Sequence, residues 1–307
     1  MKYLMGIVGY PVAHSLSPTL FRQFLQADGK EGKYFYISAG HRTSLNELMA
    51  QLGLCGVNVT APYKASFLGE LHSLTDIAQT IGCVNAVKRV GDELLGHNTD
   101  YEGILGVLKA NFINAKFHQV VVLGAGGAAR AVVKVLTDCG CDVTVVNRNR
   151  EHGERIAHEF GVQYVKTAFR YVFPTGSMLF SCLPPGSELP DLAWDRFELA
   201  IDSVYFRSPI KDMCAQHRIR RIGGYEWLVH QAVASYNFLT DGHATVQSEL
   251  LAKKPEQMRP THFVTREGSG HHPMENFELP LVAWGGDDAE SLELTEHEGG
   301  VASEAVR

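Results

Sequence analysis

Val120-Val-Val-Leu123-Gly124-Ala125-Gly126-Gly127-Ala128-Ala129-Arg130 is the stretch that decides the fold. Four apolar β-formers run into a loop of the form Gly-x-Gly-x-x-Ala. In such a loop the first glycine permits the tight turn. The second lets the backbone approach a pyrophosphate, and the third position must be small so that helix packs on strand. The N–H groups of the following helix are then free to meet phosphates. Apolar 142–146 is a second strand, and it ends about twenty residues after the loop, the spacing of a βαβ dinucleotide unit. Gly124, Ala125, Gly126, Gly127 and Ala128 are the candidate cofactor contacts. The residues closing the second strand choose the dinucleotide. They read Asn147-Arg148-Asn149-Arg150, with no acid to hold a ribose hydroxyl, and the planar fork of Arg148 suits a 2′-phosphate. NADP is expected, with NAD second.

Outward from that unit, strand and helix patterns alternate. Strands are predicted at 120–123, 142–146, 163–165, 178–182 and 199–202, and helices at 128–139 and 151–159. The pattern is that of a doubly wound parallel sheet. The N-terminal part is α/β as well. Strands are expected at 3–9, 33–37 and 56–60, and a hairpin at 84–95 turns on Gly91-Asp92. A helix is expected from Ser17, with Ser17 as its cap and Pro18 at its first position. A helix over 101–112 bridges to the second domain, and helical pattern over 224–251 returns to the first.

The chain has 307 residues, enough for two domains, with 45 % hydrophobic and 20 % charged residues. No apolar run spans a bilayer. Its six cysteines (Cys55, Cys83, Cys139, Cys141, Cys182, Cys214) include no Cys-x-x-Cys pair. Reduced thiols in a cytoplasmic protein are the expectation. The net charge of −6 is uneven: residues 256–307 hold eleven acids and three arginines, net −8, which leaves +2 for the rest. No basic patch suggests nucleic acid, and neither membrane nor metal is expected. The segment 255–307 reads as an acidic tail, disordered for want of strand or helix period, although Phe277–Trp284 is apolar enough to dock.

The N-terminal half carries polar residues at predicted strand ends. Tyr10-Pro-Val-Ala-His14-Ser15-Leu-Ser17-Pro18 offers two hydroxyls for a carboxylate. Asn58-Val-Thr60-Ala-Pro-Tyr-Lys64 offers a hydroxyl and a lysine. Asn85 follows Ile81-Gly-Cys-Val, Asp100 ends Gly96-His-Asn98-Thr99-Asp100, and Gln231 lies in Gly224-Tyr-Glu-Trp-Leu-Val-His-Gln231-Ala232. Taken in this order, from about residue 4 to residue 250, these segments resemble the shikimate dehydrogenase family. The resemblance implies an open α/β substrate domain over 1–100, completed by 232–254, and a Rossmann-like NADP-binding domain over 101–231. The active site would be the cleft between them. It implies that Lys64 and Asp100 are the catalytic pair and that Ser15 and Ser17 hold the substrate carboxylate. Thr60, Asn85 and Gln231 would meet ring hydroxyls, and Tyr205 would close the site near the carboxylate. It adds Asn147, Arg148 and Gly224 to the cofactor contacts.

The implied activity is NADP-dependent reduction of 3-dehydroshikimate, a small-molecule substrate, by a monomer or homodimer. A quinate/shikimate or aminoshikimate dehydrogenase, and a non-catalytic metabolite-binding regulator, remain as alternatives. The chain departs from the family pattern at Ser181-Cys182-Leu183-Pro184-Pro185-Gly186, at Trp227 in place of methionine, and at Asn149 and His152.

Overall fold

The computed structural model describes residues 3–40, 44–114, 119–167, 171–258 and 281–284. The N-terminal half builds β1 (Tyr3–Gly9), α1 (Ser17–Ala27), β2 (Gly32–Ala39), α2 (Leu45–Gln51), β3 (Gly56–Val59), β4 (Ser73–Leu74), α3 (Asp76–Ile81), β5 (Ala86–Val90) and β6 (Glu93–His97). Helix α4 (Asp100–Ala110) then crosses to β7 (Gln119–Leu123), α5 (Gly127–Asp138), β8 (Asp142–Asn147), α6 (Arg150–Phe160), β9 (Gln163–Lys166), β10 (Ser177–Ser181), β11 (Phe197–Asp202), α7 (Lys211–Gln216) and β12 (Arg220–Ile222). The chain returns through α8 (Gly224–Thr240), α9 (Ser248–Leu251) and α10 (Pro255–Met258), and contributes β13 (Leu281–Trp284). Among the described residues no helix is long and apolar enough to cross a membrane.

The second sheet runs β12-β11-β10-β7-β8-β9, every pair parallel. This is the doubly wound order in which the strand sequence reverses beside the first strand, and ligands bind at the carboxyl ends of the strands at that reversal. Here the reversal falls between β7 and β10. Val121 and Leu179, both fully buried, face each other across it, as the continuous apolar runs of a sheet covered on both faces require.

The first sheet is mixed, in the order β13-β2-β1-β3-β5-β6-β4. β1 pairs parallel with β2 and β3, while β5 is antiparallel to β3 and β6. That arrangement brings the carboxyl ends of β1, β3 and β6 and the start of β5 to one edge. The two domains share α8, whose faces feed two cores. Trp227 is buried with Ile104, Val107 and Val132, whereas Tyr225, Val229, Val233 and Tyr236 are buried with Phe21 and Phe24 of α1. α4 lies along α8 through two glycines. A Cβ on Gly103 would come within 2.7 Å of Gln231 Cβ and 2.8 Å of Trp227, and one on Gly106 within 2.4 Å of the His230 ring.

Several local expectations are corrected. Ser17 does not cap α1: Leu16 is the cap residue and Ser17 is already in the helix, with Pro18 beside it in the first turn. The helical pattern over 224–251 breaks after Thr240, where Asp241 takes a left-handed conformation, and resumes only at Ser248. The acidic tail meets two exceptions. α10 folds onto the first domain, and β13 pairs parallel with β2, Leu281 opposite Tyr36 and Trp284 opposite Ala39. Its short apolar run finds a free sheet edge, a tertiary partner that local periodicity does not reveal. The remaining tail residues, 259–280 and 285–307, lie outside the described residues.

Met258 is 4 % exposed and belongs to the core beneath α1, where its carbonyl accepts a 3.4 Å hydrogen bond from Thr19. A chain ending at Lys254 is therefore expected to unfold at lower urea than one ending at Met258, by about 1.5–3 kcal/mol for the lost side-chain burial. Equal midpoints would show that α10 adds nothing to the core.

Candidate active site

β1 and β3 are neighbours, so the turns leaving their carboxyl ends lie side by side. Tyr10 N–H donates to the Ala61 carbonyl at 3.0 Å, joining the Ser15 loop to the Thr60–Lys64 loop. Antiparallel pairing sets Ala86 opposite both Asn58 and His97. Asn85 and the Asn98-Thr99-Asp100 turn thereby reach the same edge.

A buried hydrogen-bond network fixes this edge. Thr99 N–H donates to Asn85 Oδ1 at 2.7 Å, and Asn85 Nδ2 donates to Gln231 Oε1 at 3.3 Å, so two assigned residues from different halves of the chain meet. The Thr99 hydroxyl lies 3.1 Å from Asn85 Oδ1 and 3.4 Å from Gln231 Oε1. Beneath them Asn58 donates to the Asn85 carbonyl at 3.0 Å and to Ser235 Oγ at 2.6 Å, and accepts from the Tyr34 hydroxyl at 2.6 Å. The Tyr36 hydroxyl donates to the Ser15 carbonyl at 2.9 Å. Tyr34 and Tyr36 are two apart on β2 and point to one face. Burial raises the pKa of both phenols, so they remain neutral donors.

Sequence reasoning missed Asn58, Tyr34, Tyr36 and Ser235 as supports of the site. The alternation of Tyr34 and Tyr36 in a strand was the available signal. It gives a face, but not the partner 24 residues away.

Ser15 and Ser17 are buried, with the Ser15 hydroxyl 3.2 Å from both Ser17 Oγ and Ser17 N. The Thr60 hydroxyl makes no hydrogen bond among the described residues, while its methyl group packs against Gly9. Tyr205 comes from the other domain, and its hydroxyl reaches the His14 carbonyl at 3.5 Å, next to Ser15. The loop carrying Tyr205 is held by Asp202, a fully buried carboxylate that accepts from Val204 N at 3.1 Å and from Ser208 Oγ. Burial pushes the Asp202 pKa up, against these hydrogen bonds and Arg221.

Lys64 Nζ is paired with Asp100 Oδ2, and the side chains are 20 % and 9 % exposed. Asp100 opens α4, where the positive end of a helix favours a carboxylate. Burial pulls the Lys64 pKa down. The Asp100 charge and its hydrogen bond outweigh that, and the ammonium, which also lies near the Cys83 and Cys182 thiols, ends above the ordinary lysine value. Both thiols are themselves raised by burial, Cys83 to about 11, so neither competes with the lysine as a charged group at neutral pH.

The glycine loop meets this pair directly. A Cβ on Gly127 would lie 3.0 Å from Lys64 Cδ and 3.3 Å from Cys83 Sγ. Gly124 has φ +105°, and a Cβ there would approach the Cys182 carbonyl at 3.2 Å across the β7–β10 reversal. By contrast a Cβ on Gly126 would meet nothing within 4 Å, and α5 starts without a side-chain cap. An open cradle with uncapped N–H groups fits a pyrophosphate.

At the end of β8, Arg148 is exposed, with no hydrogen bond or ion pair among the described residues. Its neighbours are engaged: Asn147 Nδ2 donates to the Asn149 carbonyl at 2.8 Å, and the Asn149 side chain caps α6 by accepting from His152 N at 3.0 Å. The departures from the family pattern at Asn149 and His152 thus form one helix cap. Gly224 has a packing reason for being glycine, since a Cβ there would fall within 2.6 Å of the Ser203 carbonyl oxygen. In the altered 181–186 turn, Ser181 is fully buried and its hydroxyl is without a partner among the described residues.

Because the folded pKa of Lys64 lies above its unfolded value of about 10.4, stabilisation from this pair is complete below that value. It is lost as pH rises through the folded one. The stability difference between this chain and Lys64→Met is expected to stay constant through neutral and mildly alkaline pH and to shrink only in strong alkali. Urea titrations showing it already shrinking near neutrality would contradict the pairing.

Comparison with known proteins adds an independent line. Residues 7–87 match the model of the shikimate dehydrogenase substrate binding domain, and 107–172 that of shikimate / quinate 5-dehydrogenase. The chain is 31 % identical over 261 residues to the shikimate dehydrogenase (NADP(+)) of Symbiobacterium thermophilum, covering 76 % of this chain and 88 % of that enzyme. The match to the Acidiphilium cryptum enzyme of the same name is 37 % over 164 residues, spanning 53 % of this chain and 59 % of that enzyme. The shikimate 5-dehydrogenase of Thermus thermophilus, solved with NADP(H) and shikimate, superposes with a TM-score of 0.70 at 29 % identity, over 83 % of this chain and 99 % of that one.

Proposed function

The chain belongs to the shikimate dehydrogenase family, and from that premise we propose that it reduces 3-dehydroshikimate to shikimate with NADPH in the cytoplasm, a step of chorismate and aromatic amino-acid biosynthesis. The observation that carries this reading is the Lys64–Asp100 pair lying directly under Gly127 of the glycine loop. Proton donor and dinucleotide cradle share one cleft.

The dinucleotide, when bound, supplies the hydride to the substrate carbonyl carbon. Gly124, Ala125, Gly126, Gly127 and Ala128 would hold its pyrophosphate, and Arg148 with Asn147 its adenosine 2′-phosphate. Ser15 and Ser17, with Tyr205 closing from the other domain, would hold the substrate carboxylate. Thr60, Asn85 and Gln231 would fix the ring hydroxyls. Lys64, kept charged by Asp100, would stabilise the developing alkoxide and donate its proton to the carbonyl oxygen. Asp100 would orient the ammonium and a neighbouring substrate hydroxyl.

The test is oxidation of NADPH and NADH followed with 3-dehydroshikimate and with 3-dehydroquinate in parallel. Turnover is expected with NADPH and 3-dehydroshikimate; faster turnover of 3-dehydroquinate would move the chain to the quinate branch, and none with either would refute the reading. Lys64→Ala is expected to lower kcat about 10²–10⁴-fold with comparatively little change in KM, and equal turnover removes Lys64 from the chemistry. Arg148→Ala is expected to raise KM for NADPH by about 10- to 100-fold, the worth of a charge-assisted hydrogen bond, while leaving NADH nearly unchanged. Parallel changes for both cofactors would show that Arg148 does not read the 2′-phosphate.

A further inference from the structure

One side chain joins the dinucleotide loop to the substrate-holding segment, and the proposed mechanism gives it no role. Arg130 lies in the first turn of α5, and its own N–H bonds the Gly126 carbonyl of the loop at 3.0 Å. Its side chain crosses to the other domain, where Nε donates to the Ile81 carbonyl. That carbonyl is among the last of α3, which the helix itself leaves open. The guanidinium is anchored from behind: Nη2 pairs with Glu159 of α6 at 2.5 Å, and the group lies over the Phe160 ring at 5.4 Å from its centroid. Only 15 % of the side chain is exposed. Space for it depends on Gly82, where a Cβ would come within 2.7 Å of Nη2.

The segment that Arg130 grips is the one that organises the site. In the four residues after Ile81, the Cys83 carbonyl accepts from Asn98 Nδ2 at 2.9 Å, Val84 N–H donates to the Lys64 carbonyl at 2.8 Å, and Asn85 accepts from Thr99. One turn back along α5, Gly127 rests on the Lys64 stem, and its carbonyl accepts from Cys83 Sγ at 3.6 Å. The guanidinium, braced at both ends, thus ties the glycine loop and α5 to the segment that holds Lys64 and Asn85.

We propose that Arg130 is a positioning residue that couples occupancy of the glycine loop to substrate affinity. When the loop closes on the dinucleotide, Arg130 holds the 81–85 segment where Lys64 and Asn85 face the substrate. Without that brace the packing of Gly127 on Lys64 and Cys83 remains, but most of the coupling between the two ligands is lost. The proposal rests on the cleft being a dinucleotide–shikimate site.

Shikimate binding is measured by titration with and without saturating NADP+ in this chain, in Arg130→Gln and in Arg130→Lys. In the unsubstituted chain NADP+ is expected to tighten shikimate binding by a factor within the usual range for coupled sites, about 5–150-fold. In both variants that factor should fall to within about twofold of unity, with either ligand alone binding within about threefold of the original. A merely structural role would lower the thermal midpoint and weaken both ligands alike while leaving the factor unchanged. If neither variant folds, Glu159→Gln, which removes only the rear anchor, is read by the same ratio and is expected to reduce it at least about threefold. An unchanged factor in the variants that fold, or no coupling in the unsubstituted chain, overturns the proposal. A chain that binds neither ligand fails the functional reading instead.

Discussion

The contact of α4 with α8 is the constraint on which the rest of the molecule depends. Each helix connects the two domains, in opposite chain directions, and each delivers a residue to the cleft: Asp100 at the start of α4 and Gln231 within α8. They approach closely because Gly103 and Gly106 present no side chain to Gln231, Trp227 and His230. A Cβ at either glycine would clash with α8, and at Gly103 the clash falls on Gln231, which bonds the Asn85–Thr99 pair.

The Lys64–Asp100 pair is held by charge. Desolvation opposes a buried ammonium, and a single nearby carboxylate offsets it. The carboxylate is in turn favoured by the first turn of α4. The helix that spans the domains thus carries part of the electrostatics of the site at its positive end. Around it, polar side chains on Asn58, Asn85, Asn98 and Thr99 are buried and satisfied by one another or by backbone, as a rigid site in a low-dielectric edge requires.

Much of this is legible without coordinates. The Val120–Ala129 stretch announces a βαβ unit because its signals are local: apolar run, glycine spacing, helix pattern. Five strands of the second sheet follow that announcement, whereas the edge strand β12, three residues long with two arginines, is not among the expected ones. The edge that gathers Ser15, Thr60, Lys64, Asn85 and Asp100 is readable only as an ordered set of motifs, since each residue alone has a bland reading as cap, turn or surface polar. Three kinds of feature stay hidden. Ser17 sits one residue past the cap position that its composition suggests. The end of α8 is set by Asp241 adopting a left-handed turn within an otherwise helical pattern. The bonds of Asn58 to Tyr34 and Ser235 join residues 24 and 177 positions apart, and no periodicity carries that information. Trp227, which stands out as a departure from the family pattern, is at 4 % exposure a core residue against Gly103.

The short strand Leu281–Trp284 bears on the protein's colloidal behaviour. It occupies the flank of β2, whose residues Lys33-Tyr34-Phe35-Tyr36-Ile37 are rich in β-forming aromatics. Left bare, such a flank presents a row of unpaired amides and carbonyls that templates cross-chain pairing and fibril growth. By laying its own backbone there, the chain spends a segment of its acidic tail as a guard rail.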